Sequence, residues 1–394
     1  MTDQGPERRN RELERFLEPE RAAVLRALPA IVASAVAVLT VIAVVVLRPT
    51  GAERPDLTQI GIPRHIYDAE VTAVEARPCA GTSEIPCVLV TFRLDEGPDT
   101  GESVSFELVV SETSPTFAVG DDVVMAYNPD ADPAFQYSYF DRQRRPVLLW
   151  AALLLVVVVI AMARLRGITA LLGLGASVVV ILLFVVPAII DGREPVIVAI
   201  VGATAIAYLA LYTAHGFTRM TTVALLGTLA ALALTALLAG IFMAAARFTG
   251  FTEDVSFILT AANAINVRGL LLAGVVLGSL GAIDDVTVTQ ASAVWELRAA
   301  DPTVPRSSLF RAGMRVGRDH VASTVNTLLL AYAGAAMPLL LFFVLAGQSL
   351  GTSLNSEIVA IEVIRTVVGS IGLVMAVPLT TWLAAWMADD SAVH

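Results

Sequence analysis

Asp285, Thr289, Ser292 and Glu296 follow one another at steps of four, three and four, which puts them on one face of a helix, and Gly274, Gly278 and Gly281 carry the same stripe toward its start. Carboxylates and hydroxyls in such a row can take up and release protons or cations. The glycines above them let a second helix or a solute approach bare backbone. Asp284 adjoins the stripe. A second row follows after a loop that holds Pro302 and Pro305: Arg315, Asp319, Ser323 and Asn326 share a face, with His320, Thr324 and Thr327 beside them. In a third segment Glu362 and Arg365 stand three apart and can pair, and their face continues through Gly369, Gly372 and Ala376. Asn355-Ser356-Glu357 before it reads as a helix cap, with its acid at the positive end of the dipole.

Each row has a structural and a functional reading. The first two can be packing seams whose polar ends emerge from the membrane, or the lining of a path for a solute or ion; the third can be an ion pair that neutralises itself, or part of that path. His320 alone is better explained by an interfacial position than by ligation. Asp285, Asp319 and Glu296 are the carboxylates able to couple transport to protons or cations. Catalysis is the competing chemistry: two aspartates on neighbouring helices could serve proteolysis, and Asp284, Asp285, Glu296, Asp319 and His320 could hold a metal. No H-E-x-x-H pattern supports it, and both cysteines lie outside the apolar segments. No GxxxxGK[ST] loop is present, so this chain has no phosphate loop for ATP hydrolysis, and no cofactor is expected.

The elements that must hold these rows are membrane helices. Of 394 residues 56% are hydrophobic and only 16% charged, unlike a soluble globular chain. Apolar runs at 28–47, 147–163, 168–190, 195–214, 222–246, 268–290, 320–346 and 358–387 each suffice for a helical span of about twenty residues. The chain is therefore expected to be an α-helical polytopic membrane protein of about eight spans. Residues 1–27 and 389–394 form tails, 28–47 the first span and 146–388 a seven-helix domain. Residues 248–268 are too polar to span and read as a surface or re-entrant segment.

Between the first two spans, residues 50–145 form the insert. Val88, Val90, Phe92 and Leu94 alternate, as do Val104, Phe106, Leu108 and Val110, between turns such as Glu96-Gly97-Pro98. This predicts a small antiparallel, β-barrel-like domain over residues 64–127. Cys79 and Cys87 both lie in it, which fits a disulfide on an oxidising side of the membrane, two free thiols being the alternative. All 26 basic residues are arginine, and they cluster in the N-terminal tail, at Arg164 and Arg166, at Arg219, and from Arg298 to Arg318. Those segments alternate correctly to be cytoplasmic, so both termini are expected inside the cell membrane and the β-domain outside, although Arg142, Arg144 and Arg145 flank the second span on the outer side. A net charge of −10 argues against nucleic acid.

With GAIDDVTVTQASAVWEL at 281–297, GRDHVASTVNTLLLAYAG at 317–334, GSIGLVMAVPLTTWLAAW at 369–386 and VGDDVVMAY at 119–127, the chain resembles the YibE/F-like family of polytopic bacterial membrane proteins. The resemblance covers nearly the whole chain from the first span onward. It implies the architecture above and a permease. It also implies that one acid of the first motif is characteristic, matching Asp285 and leaving Asp284 variable, and that an apolar residue often replaces His320. The leading functional expectation is thus a permease or channel for a small solute. The alternatives are an assembly or accessory protein whose outer β-domain binds a partner protein and, less favoured, an intramembrane hydrolase.

Overall fold

The computed structural model describes residues 27–51, 63–79, 86–250 and 265–388. The two tails and most of the 248–268 segment lie outside the described residues. The chain divides into two compact units, Arg54–Met162 and the remainder.

The smaller unit is an antiparallel sheet of β1 (His65–Pro78), β2 (Pro86–Leu94), β3 (Ser103–Val109), β4 (Asp122–Tyr127) and β5 (Tyr137–Arg142), in the order β3-β2-β1-β4-β5. The alternation works as expected: Val90 faces Phe106 and Phe92 faces Val104 across the β2–β3 ladder, and Val90, Phe92 and Leu94 are buried with Val71, Val123 and Met125. Closure into a barrel does not follow. The sheet is a half-barrel, curled by register shifts at Val71/Ala73 and Val124/Met125, with β3 and β5 as its edges. In place of further strands, Phe117 packs edge-on against Phe92 and Tyr139, with ring centroids 5.6 and 5.0 Å away. The Tyr137 hydroxyl donates to Asp99 at 2.8 Å, tying β5 to the β2–β3 turn; burial and then this bond raise its pKa. In that turn Gly97 has φ +104°, and the Tyr67 ring occupies the place a Cβ would take, so only glycine fits. Cys79 and Cys87 are disulfide-bonded, with Cα atoms 4.9 Å apart. The unit ends in α2 (Arg145–Ala163), apolar all round from Val147 onward.

The larger unit holds α1 (Ala27–Val46), α3 (Leu165–Ile190), α4 (Pro195–His215), α5 (Arg219–Ala245), α6 (Val267–Ala300), α7 (Arg306–Ala335), α8 (Met337–Leu345), α9 (Leu350–Asn355) and α10 (Glu357–Met387). Seven described helices, α2 among them, are long and apolar enough to cross a membrane; α7 and α8 together form an eighth candidate. This fits a multi-pass membrane protein. The eighth run is not one straight span: the pair is bent by 57° at Ala336, where Pro338 enters the first turn of α8 and withdraws an N–H. In α3 a π turn at Ile181–Val185 precedes Pro187 in the same way.

Polar contacts at one side and an apolar cluster at the other gather the helix ends into two groups. At one end Thr50 and Gly51 donate to the Asp191 carboxylate, Asn266 bonds Glu194, and Glu357 accepts from the Thr249 and Gly250 backbone N–H groups at 2.6 and 2.7 Å. Ser356 precedes α10 without the expected side-chain cap bond, and Glu357 in the first turn of α10 anchors the exit of α5. At the other end Val223, Val294, Leu309, Ala384 and Met387 form a cluster of their own. Between the ends α6 is central, packing against α4, α5, α7 and α10.

Candidate functional site

Because α6 is surrounded on three sides, the direction of each polar side chain on it follows from its angular position. Buried Ile283, Val286, Ala291 and Val294 define its inner arc. The stripe expected from the sequence lies on the opposite arc: Gly278, Gly281, Asp285, Thr289 and Glu296 are exposed, Gly274 and Ser292 partly buried. On α7, which buries Leu309, Gly313 and Gly317, the residues Arg315, Asp319, Ser323 and Asn326 are likewise exposed. Among the described residues no hydrogen bond or ion pair reaches Asp285 or Asp319. His320 is partly buried, with its Nε2 buried and unpartnered.

Asp284 turns the other way, into the α5–α6 contact. Its carboxylate interacts with the Thr228 hydroxyl, while its Oδ1 is buried without a partner. Thr228 and Thr287 are fully buried and 2.6 Å apart, and Thr287 Oγ1 lies 2.9 Å from the Asp284 carbonyl oxygen. The two threonine hydroxyls can donate to each other in either sense.

Two turns toward the end of α6, Gln290 spends both amide hydrogens in the interior, donating to the Gly313 carbonyl and to Thr381 Oγ1, each at 2.8 Å. Gly317 faces Val377 and Gln290 where a Cβ would not fit. On α10, beside the other half of α6, the expected Glu362–Arg365 pair is formed at 3.5 Å. Arg365 reaches toward Gly274, and the Tyr332 hydroxyl lies over Gly278. The glycines of the stripe therefore admit these two polar side chains.

Sequence reasoning placed Asp284 second to Asp285 and missed Thr228, Thr287, Gln290 and Tyr332. One signal was available. Thr221, Thr228 and Thr235 recur every seven residues along an otherwise apolar α5, and all three are fully buried. Among the described residues no group of three or more His, Cys, Asp or Glu is placed to hold a metal. A separate cavity of about 1060 Å³ opens between α1, α4 and the start of α5, lined by Ala33, Ala37, Tyr208, Tyr212 and Thr222; none of the expected pathway residues lines it.

A family model described as YibE/F-like protein matches residues 151–390, which contain α3 to α10 and every polar residue discussed here on them. No curated protein and no solved structure matches.

Proposed function

The chain belongs to the YibE/F-like family, and from that premise we propose that it is a permease for a small solute in the cell membrane, coupled to protons through Asp284. The observation that carries this reading is the buried, unpartnered Oδ1 of Asp284 beside the Thr228–Thr287 hydroxyl pair, which can donate in either sense. A fixed structural seam needs no second donor arrangement, whereas a group that loads and unloads a proton inside a bundle does. In this reading Asp285, Thr289, Ser292 and Glu296 on α6, with Arg315, Asp319 and Asn326 on α7, line the path. His320, Glu362 and Arg365 border it. Purified protein in vesicles loaded with a pH-sensitive dye tests the reading: a panel of small solutes is applied, and at least one is expected to move protons with it. Uptake of a solute without proton movement would remove the coupling, and uptake of none would remove the permease.

Both termini are proposed to be cytoplasmic and the β-domain extracytoplasmic. The three arginines that flank α2 on the wrong side for a cytoplasmic bias are engaged within the β-domain: Arg142 with Asp121 at 3.3 Å, Arg144 with Asp141 at 2.6 Å and Arg145 with Asp68 at 3.2 Å. Arg144 and the backbone N–H of Arg142 hold the Asp141 carboxyl below its ordinary range. The bias counts basic residues and not net charge, so the assignment rests on the larger arginine clusters at the other helix ends. The disulfide supports the same side. With an oxidising outside, Cys79 and Cys87 should resist thiol reagents in intact cells until an impermeant reductant is added, and then label from outside. Replacing both by Ala should cost the β-domain about 2–3 kcal/mol, the entropy of a loop this short. Labelling without reductant, or only after lysis, would contradict the assignment.

A further inference from the structure

The bundle surface is apolar almost everywhere: Leu172 and Leu183 on α3 and Leu237 and Ile241 on α5 are exposed, as expected toward lipid. The joint face of α6 and α7 is the exception. Gly281, Asp285 and Thr289 on one helix and Arg318, Asp319 and Asn326 on the other are exposed, and among the described residues neither Asp285, Arg318, Asp319 nor Asn326 has a hydrogen-bond or ion-pair partner. At 1.5 Å per residue, Asp285 lies ~22 Å from the end of α6 and Asp319 ~20 Å from the start of α7, so both belong to one depth, with Asn326 ~10 Å beyond it. Side chains of this kind are costly against hydrocarbon and face protein or water.

We propose that a second copy of this chain covers the face, so that the path read above from Asp285, Asp319 and Asn326 is completed by the same residues of the partner copy. Two copies inserted in the same sense meet about a two-fold axis along the membrane normal, and an isologous contact needs a face that complements itself. This one does. Its acids sit on α6 and α7, while its bases, Arg315 and Arg318, lie on α7 within about one turn of the same depth, so the α7 bases of one copy meet Asp285 of the other. Lipid tails offer no donors or acceptors to these groups. Gly281 leaves open space, with nothing within 4 Å of where a Cβ would stand, which permits close approach of another helix. The completed site rests on the transport reading; the contact between copies does not.

The native cysteines are bonded to each other, so an introduced cysteine is the one free thiol. In native membranes under oxidative catalysis, Thr289→Cys and Ser323→Cys should each give a covalent dimer. Leu172→Cys and Leu237→Cys, on exposed apolar positions, should not. Adding Asp285→Arg to the Ser323→Cys chain should lower the dimer yield about tenfold, a coupling of ~1.4 kcal/mol, and adding Arg318→Asp as well should restore most of it. Monomer at all four positions, equal dimer at all four, or a band joined to a different protein would overturn the proposal. Absence of solute flux from the parent protein, with cross-linking at these positions, would instead count against the transport reading and leave the contact standing.

Discussion

Asp284→Asn is expected to express, insert and melt like the parent chain while its proton-coupled solute uptake falls to that of empty vesicles. Asparagine has the shape of the aspartyl side chain, so the α5–α6 contact and its Thr228–Thr287 hydrogen bond are kept. What it lacks is a site that gains and loses a proton. Thr228→Val makes the complementary test: it leaves the acid in place but removes the hydroxyl between Asp284 and Thr287, and should slow uptake without abolishing it. Asp285→Asn separates the two neighbouring acids. If the outward carboxylate and not the inward one moves the proton, Asp285→Asn silences uptake and Asp284→Asn does not, and the assignment is reversed. Wild-type uptake by Asp284→Asn would end the proton-carrier role of this residue.

The residue types of the site were legible in the sequence; the direction in which they point was not. Steps of three and four correctly grouped Asp285, Thr289, Ser292 and Glu296 on one arc of α6, because that grouping depends on helical periodicity alone. Which arc faces the bundle depends on what packs around the helix. Buried Ile283, Val286 and Val294 decide it, and α6 carries polar Ser279, Thr287 and Gln290 on that buried side as well, so no amphipathic pattern gave the answer. The same ambiguity hid Asp284, one residue and 100° away. In the β-domain the alternation of Val90 and Phe92 fixed the inner face, since a period of two leaves a single choice. Barrel closure was not legible, because it depends on Phe117 reaching the core from a segment outside the strands. The threonines of α5 were readable and passed over: a hydroxyl every seven residues in an apolar helix is a seam, and Thr235 and Thr228 both lie on it.

That seam sets the largest expected effect on stability. Gly372 on α10 lies directly against Thr235, whose Oγ1 occupies the space a Cβ would need, with Ile283 Cδ1 3.5 Å from the same point. Gly227 on α5 stands in the same relation to Thr380 on α10. The two contacts are reciprocal, glycine against threonine in both directions, and they set how closely α5 and α10 approach. Gly372→Val should therefore push the helices apart and destabilise the chain by about 1–3 kcal/mol, or more where the backbone cannot shift. In a protein of this size each kcal/mol lowers the midpoint by about 1–2 °C, which is readable by thermal melting in detergent. Gly175→Ala on α3, with nothing within 4 Å of the new Cβ, should have the opposite sign, since alanine is favoured over glycine in a helix by about 1 kcal/mol. Thr235→Ala removes the obstructing hydroxyl, whose hydrogen bond goes only to the Ala231 carbonyl of its own helix. Combined with Gly372→Val it should recover part of the lost stability, although Thr235→Ala alone has no reason to stabilise. If Gly372→Val melts like the parent, or if Thr235→Ala gives no recovery beyond its own effect, α5 and α10 are not held by this contact.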